Sequence, residues 1–283
     1  GLSVVVWLAV LFSPPLKYAH RWLRFGLISF QPSEVAKLVL VLTLAYQLDK
    51  KRERIDVFFN GLFPSLVVTG FLAFLVLIEP DLGTALCLVF IACCLFFMSG
   101  APLRYLVQLS LVALPVIYWL IVKVQYRRQR LLAFLDPFED PLGRGFQIIQ
   151  SLIAVGTGGI FGVGFMRSQQ KLFYLPEPHT DFIFSVIGEE LGLIGTLAVI
   201  GAFSVVLWRG IVIARRAPDL FGTFLAGGLT ALVVGQAFIN MGVALGLLPT
   251  TGIPLPFVSA AGTSLVISMA SVGLLLAVSQ HAR

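Results

Sequence analysis

Apolar segments long enough to cross a lipid bilayer follow one another along almost the whole chain. A transmembrane helix needs about 20 predominantly apolar residues, and only 12% of the residues are charged, against about 25% in soluble domains. We therefore predict an all-α, polytopic membrane protein with one membrane domain over residues 1–283. About eight transmembrane helices are expected, at residues 1–12, 33–49, 59–79, 82–98, 102–123, 182–208, 219–247 and 262–279.

The composition disfavours several other kinds of protein. Cys87, Cys93 and Cys94 lie in one apolar segment, where packing explains them better than a disulfide or a metal site does. No nucleotide-binding loop, Ser-His-Asp set or cluster of metal ligands occurs, so neither a metal site nor a nucleic-acid partner is predicted. The formal charge of +6 suits an anionic lipid or substrate, or the basic residues that flank membrane helices.

One long connection, residues 124–181, interrupts the apolar segments. It contains a basic cluster of Arg127, Arg128 and Arg130, then "DPFEDPLGRGFQ", then the glycine-rich stretch "SLIAVGTGGIFGVGF". That stretch is too short and too rich in glycine for a full span. A re-entrant or interfacial segment is expected, because irregular backbone at membrane depth is tolerated where protein or a water-filled cavity surrounds it.

The distribution of basic residues predicts the orientation of the chain in the membrane. Alternate loops carry nine and ten Lys or Arg residues, so raw counts do not decide. The clusters "DKKRER" and "ARR" lie directly beside span ends, where the positive-inside rule is strongest, and we assign them to the cytoplasm. The long connection and Asp181 are then extracytoplasmic.

Ionisable residues near the ends of two spans are candidates for a functional site. Glu34 and Lys37 are three residues apart on one helical face, so they form either a structural ion pair or part of a site. Glu79 and Asp81 flank the proline of "EPDLGT", a tight corner between two spans. Asp81 is either a functional carboxylate or the cap of the helix that starts at Leu82.

The segment "YLPEPHTDFIFSVIGEELG" places carboxylates at the mouth of a span and inside it. Asp181, Ser185 and Glu189 are spaced four residues apart and share one helical face. Glu189 must be paired, hydrogen-bonded or protonated at its depth, and His179 is placed to orient a neighbour. Asp181 is either a helix cap or a reactive carboxylate. From the residues alone, an enzyme and a transporter both remain open.

Five motifs together resemble the SEDS family (shape, elongation, division and sporulation), and its FtsW-like division branch more than its elongation branch. They are "RWLRFGLISFQPSEVAKL", "EPDLGT", "YRRQRLLAFLDPFEDPLGRGFQIIQSLIAVGTGGIFGVGF", "QKLFYLPEPHTDFIF" with "SVIGEELG", and "LLPTTGIPLPFVSAAGTS". Members have ten spans. Because Gly1 lies inside an apolar segment, the resemblance implies a chain that lacks the first two.

The resemblance implies a peptidoglycan glycosyltransferase of the bacterial cytoplasmic membrane. It would polymerise lipid II (undecaprenyl-pyrophosphate disaccharide peptide) on the extracytoplasmic side, beside a class B penicillin-binding protein and other division proteins. Asp181 matches the catalytic aspartate. One departure occurs in the last loop, where the family reads Ser-Tyr-Gly-Gly-Ser and Ala260 and Ala261 stand here in place of the Tyr and first Gly.

Roles for the other candidates follow from the proposed chemistry. A pyrophosphate leaving group needs Arg, Lys or a divalent cation to balance its charge. The expected substrate-binding residues are Arg21, Arg24, Lys37, Arg130, Glu34 and His179. The expected supporting residues are Glu189, Glu79, Asp81 and Ser259. The alternatives are a lipid II flippase and a non-catalytic scaffold for the penicillin-binding protein.

Overall fold

The computed structural model describes residues 23–25, 28–173 and 175–282. The first element is a short antiparallel hairpin of β1 (Leu23–Phe25) and β2 (Ile28–Phe30), with Leu23 opposite Phe30. Helix α1 (Pro32–Lys50) follows at once. Pro32 suits the first turn because its missing N–H would have no helical partner there, and Glu34 in the same turn complements the helix dipole.

Three further helices follow α1, and short connections join them to one another. A 3₁₀ turn (Arg52–Arg54) and a π-helical turn (Phe58–Leu62) lead into α2 (Phe63–Ile78), and α3 (Leu82–Met98) and α4 (Leu103–Val122) come next. The Asp81 carboxylate accepts hydrogen bonds from the Thr84 backbone N–H at 3.1 Å and the Thr84 hydroxyl at 2.9 Å. Asp81 therefore caps α3.

The long connection contains three helices rather than irregular chain. They are α5 (Gln125–Leu135), α6 (Phe146–Gly158) and α7 (Gln170–Phe173). The basic cluster lies on α5. Helix α6 has 13 residues, so it extends only about 20 Å at 1.5 Å per residue, short of the ~30 Å hydrocarbon core. A re-entrant or interfacial placement of this stretch stays a prediction.

The C-terminal part consists of three long helices, α8 (Ile183–Arg216), α9 (Leu220–Ala244) and α10 (Gly262–His281). Among the described residues, five helices are long and apolar enough to cross a membrane: Phe58–Ile78, Leu103–Val122, Ile183–Arg216, Leu220–Ala244 and Gly262–His281. The nearly all-helical, polytopic architecture is confirmed. Seven predicted spans fall on helices, but α1 is too polar and α3 too short to be counted among these five. The segment 1–12 lies outside the described residues.

The chain divides into two compact units, and the prediction of one membrane domain stays a prediction. The first unit contains the described residues up to Leu106, together with Val206–Gly235 and those from Ala261 onward. In it, α1, α2 and α3 pack on one another and α10 packs on α1. The core of this unit consists of fully buried side chains from α1 and α3: Leu40, Leu44, Leu48, Leu88, Ile91, Leu95 and Phe96.

The second unit contains Val107–Val205 and Gln236–Ala260. It has a small apolar core of Leu175, Phe182, Val186 and Val243, against which Ile183 packs. Phe182, a member of this core, directly follows Asp181 in the sequence. The core therefore fixes the segment that enters α8.

Helix α8 is interrupted at Gly192, whose φ of +66° and ψ of −158° are not helical. The glycine-rich loop after α6 binds the backbone groups that the interruption frees. The Val163 and Gly164 N–H groups donate to the carbonyls of Glu189 and Glu190, and the Leu193 and Ile194 N–H groups donate to Gly159 and Ile160. The break therefore leaves these backbone groups hydrogen-bonded, as a low-dielectric surrounding requires.

Glycines allow this loop and helix to approach so closely. A Cβ atom on Gly158 would lie 1.9 Å from the Gly188 carbonyl oxygen, and one on Gly162 would lie 2.1 Å from that of Glu190. Gly162 also has a φ of +78°, which side chains rarely adopt. A backbone-to-backbone contact thus explains Gly158 and Gly162 of "SLIAVGTGGIFGVGF".

Candidate active site

Asp181 lies at the wall of a cavity of about 100 Å³ in the second unit. The cavity is formed by α5, the start of α6, the turn that leads into α8, the end of α9 and the loop between α9 and α10. Its polar lining residues are Arg130, Gln147, Glu177, Asp181, Thr250 and Thr251, and the others are Pro176, Phe182, Val243, Gly252 and Ile253. The cavity thus combines one guanidinium group with two carboxylates.

The turn before α8 holds Asp181 in place through its backbone. The Asp181 N–H donates to the Glu177 carbonyl at 3.2 Å, and its own carbonyl accepts a 2.8 Å hydrogen bond from Asn240 Nδ2. The side chain is half-buried. Opposite it, Gly252 has a φ of +76°, and a Cβ there would lie 3.5 Å from Asp181 Oδ2. At Gly252 the last loop therefore presents backbone, not a side chain, to the carboxylate.

Two amide side chains on α9 bind the last loop, and one of them, Asn240, also binds this turn. Asn240 Nδ2 also donates to the Ile253 carbonyl at 2.8 Å, and Gln236 Nε2 donates to the Pro254 carbonyl at 2.9 Å. Both residues are 1% exposed. None of the sequence motifs pointed to Asn240 or Gln236. Two polar amides four residues apart within an apolar span were the available signal, because such residues share a helical face and need partners there.

Ser259, also in the last loop, joins this loop to the same turn. Its hydroxyl accepts from the Leu255 N–H at 2.8 Å and donates to the Thr180 carbonyl. The Ala260 N–H donates to the His179 carbonyl at 2.9 Å. This last bond uses the backbone, so the replacement of the family's tyrosine by Ala260 leaves it intact.

Arg130 is the one sequence-predicted basic residue that lines the Asp181 cavity in the described part of the chain. Its Nη1 donates to the Thr250 carbonyl at 2.9 Å, and the guanidinium lies 4.4 Å from the ring centroid of Tyr126. These two contacts hold the charge beside Asp181. The neighbouring Arg127 instead directs Nη1 to the Leu120 carbonyl at 3.3 Å.

The other predicted substrate-binding residues are placed elsewhere or not described. Arg21 lies outside the described residues. For Arg24, only the backbone, which belongs to β1, is described. The His179 side chain is exposed and does not line the cavity in the part of the chain described. Among those residues, no group of three or more His, Cys, Asp or Glu side chains could hold a metal ion.

Glu34 and Lys37 form an ion pair in the first unit. Lys37 Nζ lies 2.6 Å from Glu34 Oε1, and the two side chains are 1% and 3% exposed for Lys37 and Glu34. Glu79 and Asp81, at the α2–α3 corner, are also buried. The geometry is that of the structural ion pair considered in the sequence analysis. A role in substrate binding stays a prediction.

Exchanging one or both members of this pair distinguishes the two roles. If Lys37 binds substrate pyrophosphate, Lys37→Met should lower lipid II use, and adding Glu34→Gln should not restore it. If the pair is purely structural, the double variant should regain what the single variant loses, because an uncompensated buried charge is removed. Folded yield and lipid II turnover of both variants are the measurements.

Glu189 and Glu190 hold the segment that follows the glycine-rich loop. Glu189 accepts hydrogen bonds from the Ser168 hydroxyl and, at 3.0 Å, from the Gln169 N–H. Glu190 forms an ion pair with Lys171 and accepts from the Ser168 N–H at 3.4 Å. Ser168, Gln169 and Lys171 precede Asp181 in the sequence, whereas Glu189 and Glu190 follow it. These bonds are the contacts through which Glu189 would have its expected supporting role, which stays a prediction.

Comparison with known proteins places these features in a family. The family model FTSW_RODA_SPOVE, described as "Cell cycle protein", matches residues 1–283. The chain is 46% identical over 282 residues to the probable peptidoglycan glycosyltransferase FtsW of Geobacter metallireducens, covering 98% of this chain and 75% of that protein. It is 48% identical over 266 residues to stage V sporulation protein E of Bacillus subtilis, covering 94% and 72%.

Two solved structures share the fold. One, described as "Structural coordination of polymerization and crosslinking by a peptidoglycan synthase complex", matches with a TM-score of 0.80 and 34% identity, over 99% of this chain and 79% of that chain. The rod shape determining protein RodA of Thermus thermophilus matches with a TM-score of 0.71 and 30% identity, over 99% and 76%. The resemblance seen in the sequence motifs is confirmed: the chain belongs to the FtsW/RodA/SpoVE family of cell cycle proteins.

Proposed function

We propose that this chain is a peptidoglycan glycosyltransferase that polymerises lipid II during cell division. In the reaction, the 4-hydroxyl of an acceptor sugar attacks the anomeric carbon of the lipid-linked donor glycan. The hydroxyl proton passes to the Asp181 carboxylate, the bond to the pyrophosphate oxygen breaks, and undecaprenyl pyrophosphate leaves with inversion at the anomeric carbon. The observation that carries the proposal is the Asp181 carboxylate in a cavity that also contains Arg130.

The size of the cavity limits how the substrate is bound. A volume of about 100 Å³ is small beside the roughly 300–1,000 Å³ of pockets that enclose a whole ligand. The acceptor sugar therefore lies at the mouth of the cavity and directs one hydroxyl inward. A weakly acidic alcohol needs a general base within hydrogen-bond reach, and Asp181 is positioned for that task.

The charge of the leaving group is balanced by basic side chains. A guanidinium group forms bidentate hydrogen bonds with phosphate oxygens, and the backbone and ring contacts of Arg130 keep it oriented. We assign Arg130 to this role first. Lys37, Arg21 and Arg24 are further candidates, with Glu34 and His179 beside them, and a divalent cation is the alternative source of positive charge.

The geometry around Asp181 supports catalysis rather than a mere helix cap. Asn240, Ser259 and the Ala260 N–H bind the turn at residues 179–181 to the last loop. Pre-organisation of this kind keeps a general base within the narrow range of distances that proton transfer requires. If Asp181 only capped α8, its turn would need no contact with the last loop.

A class B penicillin-binding protein is the proposed partner, together with other division proteins. A solved structure with which this chain shares its fold belongs to a peptidoglycan synthase complex that coordinates polymerization and crosslinking. Crosslinking of new strands requires a transpeptidase close to the polymerase, because glycan strands leave the active site as they grow. This supports a partner bound beside the membrane domain.

Purified lipid II provides the direct test of function. Full-length protein with its penicillin-binding partner should convert fluorescent lipid II into glycan strands that are resolved on a gel. Transfer of lipid II across vesicle membranes without polymer would identify a flippase instead. Polymer that forms from the partner alone would leave this chain as a scaffold.

The proposed site faces the extracytoplasmic side of the bacterial cytoplasmic membrane, which cysteine labelling tests. Glu53 is exposed beside the "DKKRER" cluster, and the Glu139 side chain is 58% exposed in the long connection. In intact cells, a membrane-impermeant thiol reagent should label Glu139→Cys and not Glu53→Cys, and both should react after permeabilisation. The opposite labelling pattern would invert the proposed topology.

A further inference from the structure

A second cavity, of about 480 Å³, lies in the first unit where α1 ends and the chain turns towards α2. We call it the basic notch. Its lining residues are Lys50, Lys51, Glu53, Phe59, Asn60 and Pro64. None of these residues takes part in the chemistry proposed for Asp181. The notch is also almost five times larger than the Asp181 cavity.

The lining of the notch has more positive than negative charge. Among the residues that the structure describes, neither Lys50 nor Lys51 forms an ion pair. Lys50 Nζ lies 5.7 Å from the ring centroid of Tyr46, and Lys51 is half-buried. With Glu53 as the one acidic residue of the lining, two ammonium groups outnumber one carboxylate, and the notch favours an anion.

Exposed aromatic side chains continue directly from the notch. Phe59 is 71% exposed and Phe63 is 44% exposed, and their ring centroids are 5.7 Å apart. Phe58 contacts both Phe59 and Tyr105, with ring centroids at 5.4 Å and 5.3 Å. A belt of rings adjoining lysines at the end of a membrane helix is typical of the boundary between lipid headgroups and acyl chains.

We propose that the basic notch binds the headgroup of an anionic phospholipid of the phosphatidylglycerol type. The phosphodiester lies between Lys50 and Lys51, and the Asn60 amide is available to the glycerol hydroxyls. The acyl chains follow the exposed rings of Phe59 and Phe63 along α2. A free phosphate would use the lysines alone and would leave this aromatic surface uncovered, so the lipid is the occupant that uses the whole surface.

Titration of a short-chain phosphatidylglycerol into full-length protein in an uncharged detergent tests the proposal. Lipid binding is followed by the melting temperature and by native mass spectrometry. Because a basic residue near an anionic surface contributes about fivefold in affinity, replacing both Lys50 and Lys51 by Gln should weaken binding by about 10- to 30-fold. Phe59→Ser, which keeps both charges, should also weaken binding of the lipid.

Arg215 and Arg216 provide a matched control, because they are an exposed basic pair at the end of another helix. Replacing both by Gln should leave phosphatidylglycerol binding unchanged. An equal loss in this control would show a general charge effect and overturn the proposal. So would undiminished binding by the Lys50→Gln, Lys51→Gln variant, or binding of glycerol phosphate as tight as that of the lipid. A lipid-free melting temperature equal to that of the unmodified protein shows that each variant is folded.

Discussion

Replacing Asp181 by asparagine is expected to lower lipid II polymerisation by about 100- to 10,000-fold, the usual cost of losing a general base. Asparagine has nearly the same shape but cannot take up the hydroxyl proton. Folding should persist, because the contacts that fix the turn use the backbone N–H and carbonyl of residue 181. The measurements are strand synthesis from purified lipid II and the melting temperature of the same sample.

Variants of two other carboxylate residues serve as comparisons for Asp181→Asn. Glu139→Gln alters a surface residue that pairs with Arg144 outside the cavity, and its polymerisation rate should match that of the unmodified protein. Glu177→Gln changes the second carboxylate of the cavity and should cost less than Asp181→Asn. Near-normal polymer from Asp181→Asn, with a large loss in Glu177→Gln, would move the general base from Asp181 to Glu177.

Gly192→Ala is expected to produce the largest loss of stability among single-methyl additions to α8. Its φ of +66° lies in a region that side chains rarely adopt, and a Cβ atom would lie 2.4 Å from the Gly162 nitrogen and 2.6 Å from the Ile160 oxygen. The backbone cannot move away without breaking the bonds of Leu193 to Gly159 and of Ile194 to Ile160. Backbone strain together with lost hydrogen bonds should cost about 3 kcal/mol or more.

Gly201→Ala is the matched control on the same helix, because a Cβ there meets no atom within 4 Å. Alanine is favoured over glycine in a helix by about 1 kcal/mol, so this variant should melt at the same or a slightly higher temperature. Thermal unfolding of both proteins in one detergent gives the comparison. Equal melting temperatures for the two variants would mean that the glycine-rich loop does not bind the interrupted helix.

The helices were the most predictable part of the fold. Membrane helices are selected by the transfer of apolar side chains, which is additive along the sequence and leaves long apolar runs. The corner at "EPDLGT" was predictable for a similar reason, since a cap is a local contact between Asp81 and Thr84. The hairpin of β1 and β2 was not predicted, because strands of three residues leave too few positions for an alternating pattern.

The candidate site was predictable only where its contacts are local in sequence or carried by a family motif. Asp181 and Arg130 belong to motifs, and the structure brings both to one cavity. Asn240 acts on Asp181 across 59 positions of sequence, which no local pattern records. The interruption at Gly192 was equally hidden, because the residues on both sides have ordinary helical character and the cause lies in a loop about 30 residues earlier.

The interruption at Gly192 also bears on the depth of Glu189 and Glu190 in the membrane. A hydrocarbon core takes roughly 20 residues of helix. The basic residues Arg209 and Arg216 lie towards the opposite end of α8. A span of that length that ends at Arg209 would begin near residue 189, and one that ends at Arg216 would begin near residue 196. We therefore expect the helix to break near the membrane boundary, which would place Glu189 and Glu190 close to the headgroup layer, where ionisation costs far less than at the bilayer centre. In that case Ile183, the first residue of α8, would lie about 9 Å outside the boundary at 1.5 Å per residue. Asp181, two residues earlier, would then lie outside the hydrocarbon core, where the sugars of a lipid-linked glycan are expected and its prenyl chain is not.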